Sequence, residues 1–418
     1  MKKGFQIVVF LFVIITIYGF AQSPDWGFFG HRRINRMAVF TLPPEMLILY
    51  KKHIEYLTEH AVDPDKRRYA TKHEAVRHYI DIDHWGVYPF EAVPRNWTDV
   101  LAKYTDIYVV NRQEDTLRVF GKDLTNVDEG LLLLSGVALG NRTAKTVYDW
   151  EYRVYRDFVY RNIIRNYYEE EWSIDCVSLN QLFARHEIEL DCQSAFALDR
   201  FSAYGILPYH LVQMQSKLSK AFLEGNLKRI LQHSADFGHY IADAHVPLHT
   251  TENYNGQLTN QVGIHAFWES RIPELFSDRY FDYFVGKAQY IVDPQDYYWD
   301  IVLKSHSYLD SVLLIEKDLS QRFPQDKQYC YDDRLERTQR TQCREYAAAY
   351  NERLNGMVER RMQASILAVS SAWYTAWVDA GQPDLSRLGD FALSEAERKR
   401  LEEEEALFRG GTIKGREH

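Results

Sequence analysis

A mainly α-helical fold is predicted for this 418-residue chain by its periodicity, its scarcity of strand patterns and its punctuation. Over Pro43 to Leu57, Leu207 to Leu231 and Arg353 to Val378, apolar residues recur three and four apart, which places them on one helical face. Alternating stretches that suit a half-buried strand are rare, the best being IYVV (107–110) and TLRVF (116–120). Prolines at 43, 44, 89, 94, 208, 247, 273, 294, 324 and 383 separate the helical runs. A hydrophobic share of 46% supplies the core of one large multi-helix domain.

From the amino terminus, MKK, the apolar run Phe5 to Phe20 and the small Ala21 predict a signal peptide over residues 1–21 and a mature chain from Gln22. The apolar run is near the lower limit for crossing a bilayer, so cleavage rather than anchoring is expected. EGLLLLSGVALG (129–140) is too short to span, so no stable membrane span is expected after cleavage. The main domain is assigned to 22–393. It is interrupted at about 104–204 by an insertion of different texture, rich in Tyr, Arg and acids (YDWEYRVYRDFVYRNIIRNYYEEEW). The charged tail, 394–418, reads as a solvated helix followed by a frayed Gly-rich end. Four cysteines fall into two local pairs, Cys176 with Cys192 and Cys330 with Cys343, which predicts two loop-closing disulfides in a periplasmic or extracellular protein.

The formal charge of −9 argues against a general grip on duplex DNA, which requires a basic face. A small phosphate-bearing substrate stays compatible with it, because bound divalent cations reverse the potential inside a cleft.

The chemistry concentrates in HYIADAHVPLH (239–249). On a helix His239 and Asp243 share a face, whereas His245 is rotated away. Pro247 ends or bends the helix and lets His249 return toward the same region. GIHAFWES repeats the spacing with His265 and Glu269. Among 15 His and 59 acidic residues about two such pairs arise by chance, so neither pair carries weight alone. Weight comes from further ligands upstream: WGFFGH (Trp26 to His31), VDPDKRR (Asp63, Asp65, Arg68) and RHYIDIDHW (His78, Asp81, Asp83). A set of imidazoles and carboxylates without cysteine suits zinc in an exported protein. Asp63 and Asp65 are both open as ligands on this pattern.

In order and spacing these residues resemble the superfamily of zinc-dependent phospholipase C and the single-strand-specific nucleases of fungi and plants, over roughly 26–100 and 205–285. The resemblance implies a helical fold holding two to three zinc ions. One would be held by Asp65, His78, His239 and Asp243, a second by His249, His265 and Glu269, and a third by Trp26 and His31 with Asp243 bridging. It also favours Asp65 over Asp63, because PDKRR matches the Asp-x-x-Arg of the nuclease branch. Arg68 would then face the phosphate, Asp65 would orient or deprotonate water, and Tyr79 and Asp81 would line the rim that binds substrate. In the family the Trp is the first mature residue, whereas here QSPD precedes Trp26. The short gap from His249 to His265 is closer to the phospholipase pattern. His210, His233 and His245 are expected to be structural or to support the ligands from outside, because the ligand count is complete without them. The expected activity is hydrolysis of a phosphodiester, in phospholipid or in single-stranded nucleic acid; the alternative of another class is a zinc-stabilised envelope binding protein.

Overall fold

The computed structural model describes residues 28–128, 131–134, 148–163, 171–334, 337–389, 392–411, 413, 414 and 416. The expected signal peptide and Trp26 lie outside them. Among the described residues helices dominate and the sheets are small, as the periodicity predicts. No helix there is long and apolar enough to cross a membrane.

The core is organised around the helix Leu227–Ala244, in which every residue from Phe237 to Ala244 is buried. Phe28–Val39, Leu207–Leu223, Pro294–His306 and Met357–Asp379 pack against it. Polar groups enclosed this way need partners inside the protein. The Ser234 hydroxyl pairs with that of Tyr50 at 2.8 Å, and the Ser234 carbonyl accepts from the Trp373 indole at 3.0 Å. Gln215 donates to the Ala372 carbonyl at 3.1 Å and accepts from Tyr298 at 2.6 Å.

Two helices lie closer than side chains on both would allow. A Cβ at Gly238 would meet Asn35 Oδ1 at 1.9 Å, so glycine there admits the first helix. Asn35 secures the contact by donating to the carbonyls of Leu57 and Ala235 at 3.2 and 3.0 Å. One turn before Asn35, His31 then stacks on His239 with ring centroids 3.9 Å apart.

Helix boundaries differ from the periodic runs. Leu207 to Leu231 is two helices, because Gly225 takes a left-handed φ of 62° and Asn226 caps the second by accepting from the Arg229 amide. Arg353 to Val378 begins on the last residue of the helix Arg344–Arg353 and enters a second helix at Met357, after Asn355 and Gly356 at φ 50° and 72°. Pro43 to Leu57 is broken at His53 into Pro44–Lys52 and Ile54–Glu59. Periodicity reports a buried face, which continues across a tight reversal when both helices pack on the same core.

Between residues 104 and 204 the two stretches read as the best strands are neighbours in a four-stranded antiparallel sheet. Its order is Thr116–Phe120, Thr105–Val110, Ser194–Asp199, Glu171–Ile174. Ile107 lies opposite Ala197 and Val109 opposite Ala195, all buried, so the register gives the sheet one apolar face. A three-stranded sheet joins Thr125–Asp128, Leu131–Leu134 and Tyr148–Glu151. Both expected disulfides are present: Cys176–Cys192 within this region, and Cys330–Cys343 at the base of the hairpin Tyr329–Arg334 with Arg337–Gln342.

The tail departs from the expectation of a frayed end. Its helix, Glu395–Gly410, begins at a capping box between Ser394 and Glu397 and exposes half of its acids, Glu395, Glu402 and Glu403. Phe408, however, is buried against Phe28 and Tyr69, with Ile413 packed on the same cluster. Anchored there, the chain turns back: the Lys414 amide donates to the Arg68 carbonyl at 3.0 Å and its ammonium to the Ala70 carbonyl at 3.1 Å.

Candidate metal centre

His239 and Asp243 project from the last two turns of the central helix, and the helix ends at Ala244. Pro247 opens the 3-10 turn Pro247–Thr250, which carries His249 back toward them. His265 sits in the short helix Ile264–Ala266, and Glu269 in the π-helical turn Phe267–Arg271 that follows. His31 comes from the first helix, Asp65 from Asp63–Arg67 and His78 from the bend after Lys72–Ala75. Three groups of ligand atoms result: His31 with His239 and Asp243, Asp65 with His78 and His239, and His249 with His265 and Glu269. Within each group the atoms lie within 4.8 Å of one another, a spacing that could hold a metal ion.

Asp243 links the groups. One oxygen lies 2.9 Å from His78 Nδ1 and 3.3 Å from His239 Nε2, and the other 3.4 Å from His31 Nε2 and 4.0 Å from His249 Nε2. Glu269 contacts His265 at 2.8 Å and His249 at 3.4 Å through one oxygen, and His31 at 3.3 Å through the other. Asp65 Oδ1 stands 3.8 Å from His78 Nδ1 and 3.7 Å from His239 Nε2. Asp63 turns away, to His60 Nδ1 at 2.6 Å, so the geometry brings Asp65 and not Asp63 to the cluster.

The outer ring nitrogens fix how these imidazoles face. His239 Nδ1 is 2.8 Å from the Ala61 carbonyl, His249 Nδ1 2.6 Å from the His78 carbonyl and His265 Nδ1 3.1 Å from the Tyr254 carbonyl. A carbonyl only accepts, so each Nδ1 carries a proton and each Nε2 faces inward, the orientation a metal ligand needs once that nitrogen is deprotonated. His210 and His245 are buried outside the cluster, and His233 is partly buried outside it; burial pushes His233 down to about 4 and His245 well below its ordinary value.

His78 has a carboxylate behind it that the motif reading missed, although its spacing of four was visible. Glu74 is buried, with Oε1 3.7 Å from His78 Nε2, and is itself held by Arg77 at 2.7 Å and by the Tyr240 hydroxyl. Carboxylates behind metal-binding imidazoles orient the ring and raise its basicity. Glu74→Gln is therefore expected to weaken metal binding about 10–100-fold, read by competition with a chelator. Unchanged affinity would reduce Glu74 to a partner of Arg77 and of Arg67, whose Nε lies 3.6 Å from it.

Protonation opposes metal at His31. Burial disfavours its charge, but the Glu269 hydrogen bond and the charge of Asp243 prevail and raise it to about 9. At Glu269 and Asp243 burial is likewise outweighed, by the surrounding histidines, and both carboxyls are held well below their usual range. In the metal-free protein the His31 contribution to stability is full below about pH 6.5 and is lost as pH rises through about 9. A metal ion competes with that proton, so uptake at pH 7 should release about one proton from His31 and tighten toward pH 9. Calorimetric titration in buffers of different ionisation enthalpy measures the release; its absence at pH 7 would separate His31 from the metal ligands.

Beside the cluster stand the residues expected to line a substrate rim. Arg68 Nη1 lies 3.6 Å from Asp65 Oδ1, and Tyr79 and Asp81 follow His78. Gly205 permits that approach, since a Cβ there would meet the Tyr79 carbonyl at 2.1 Å. Burial pushes Asp81 up to about 6 against the pull of Arg416. Arg416 and Tyr254, which the sequence reading did not select, adjoin these residues: the guanidinium sits 4.1 Å from the Tyr79 ring centre and 3.8 Å from that of Tyr254. No protein-family model matches the chain, and no curated protein matches it.

Proposed function

We propose that the chain is an exported zinc-dependent hydrolase of phosphodiester bonds, resembling zinc-dependent phospholipase C. The observation that carries this reading is the convergence of His31, Asp65, His78, His239, Asp243, His249, His265 and Glu269 on one buried centre with Arg68 beside it. Inward-facing imidazole nitrogens, a carboxylate shared between ligand groups and no free cysteine among the described residues make a donor set suited to zinc. Two to three zinc ions held there would polarise phosphoryl oxygens and bring the pKa of water toward neutrality.

The protein's own groups then divide the work. Asp65 is more exposed than Asp243, at 18% against 1%, so it has an oxygen free to orient water and accept its proton. As that water adds to phosphorus the ester P–O bond breaks, and the leaving oxygen takes its proton from solvent. Arg68 balances the charge that grows on the phosphoryl oxygens. Tyr79 and Asp81 at the rim contact the leaving or head group. Two disulfides fit an oxidising compartment outside the cytosol.

A single-strand-specific nuclease is the second reading, favoured by the Tyr79 and Tyr254 rings, which both take one planar guanidinium at 4.1 and 3.8 Å and offer aromatic faces on which a base could stack. The test is to assay zinc-loaded protein on phosphatidylcholine, single-stranded DNA and bis(p-nitrophenyl) phosphate, with chelated protein as control. Zinc-dependent release of diacylglycerol supports the first reading and of nucleotides the second. No cleavage of any substrate would sink both and favour a metal-stabilised envelope binding protein.

A further inference from the structure

Lys414 and Arg416 engage the residues assigned to substrate and their neighbours. Arg416 Nη1 donates to both oxygens of Asp81 at 2.6 Å, and Nη2 to the Thr251 carbonyl at 3.0 Å. The guanidinium lies over both tyrosine rings, and the Arg416 carbonyl accepts from Arg68 Nη2 at 2.5 Å. With Lys414 on the Arg68 and Ala70 carbonyls, one short segment occupies Arg68, Tyr79 and Asp81 together.

These contacts exceed those of an ordinary surface ion pair, which contributes little because both partners stay solvated. Here the side chains are 14% and 7% exposed, and the cation adds stacking to its hydrogen bonds. Phe408 and Ile413, packed with Phe28 and Tyr69, tether the segment a few residues away, which gives it a high effective concentration at the rim.

We propose that the segment ending at Arg416 is an intramolecular occupant of the substrate rim, which a phosphodiester must displace in order to reach Arg68 and the metal centre. The proposal rests on the reading of Tyr79 and Asp81 as substrate contacts. Because Asp81 is largely enclosed, its carboxylate must be met by donors on the substrate or by water that enters as Arg416 leaves. The apparent affinity of the intact chain for substrate is lowered by the fraction of molecules with the rim filled.

Two measurements on the full-length, zinc-loaded protein test this. Trypsin cleavage after Lys414 and Arg416, followed by mass spectrometry, reports whether the segment is held; Asp81→Asn should speed cleavage after both residues about tenfold, and Arg416→Ala should do the same after Lys414. With bis(p-nitrophenyl) phosphate, Arg416→Ala should lower KM about tenfold. Equal cleavage in wild type and both variants, or a KM that is unchanged or higher, overturns the proposal. Protection that depends on Asp81, in protein with no zinc-dependent hydrolysis, supports the occupant and refutes the phosphodiesterase reading instead.

Discussion

Replacing His239 with alanine is expected to abolish both metal retention and phosphodiester cleavage. Its Nε2 belongs to two of the three ligand groups, that with His31 and Asp243 and that with Asp65 and His78, so a single truncation opens both. The residue is fully buried, and its loss also strands the Ala61 carbonyl, at a cost of about 1–3 kcal/mol. A large domain tolerates that, so the variant should fold with a lowered melting temperature. Metal counting by mass spectrometry after dialysis, beside circular dichroism and the phosphodiester assay, checks it. Full metal retention in a folded His239→Ala protein would remove the centre from the function.

Arg68→Ala separates chemistry from metal binding. The guanidinium contacts Asp65 at 3.6 Å and the Arg416 carbonyl, and its Nε has no hydrogen-bond partner among the described residues. A buried cation left partly unsatisfied beside the centre is placed to meet charge that appears only as the phosphoryl group reacts. The expected result is an unchanged metal count and a kcat lowered by about 10²–10³-fold, the usual effect of losing one such donor. An unchanged kcat would leave Arg68 as a holder of the tail alone, and loss of metal would assign it a folding role.

Much of the centre was legible because local spacing has a direct spatial meaning on a helix. His239 with Asp243, and His265 with Glu269, share faces by the 3.6-residue turn, and Pro247 marks where the chain must bend to return His249. The helical class followed from the same periodicity, and the disulfides from two short cysteine spacings. Helix ends were less legible, since Gly225 and the Asn355–Gly356 reversal interrupt the backbone without interrupting the buried face.

What the sequence determined by itself was therefore the set of side chains able to bind metal and the faces on which neighbours in the chain present them. Which of those faces meet was decided by packing. The absence of a side chain at Gly238 lets Asn35 seat the first helix and stack His31 on His239. The choice of Asp65 over Asp63 depends on which carboxylate the short helix Asp63–Arg67 turns toward His78. Arg416 lies 335 residues from Asp81, and no local pattern links them. Only the burial of Phe408, which converts a charged tail into an anchored strap, brings that guanidinium to the rim, because contacts between distant segments are set by the whole core and not by local residue spacing.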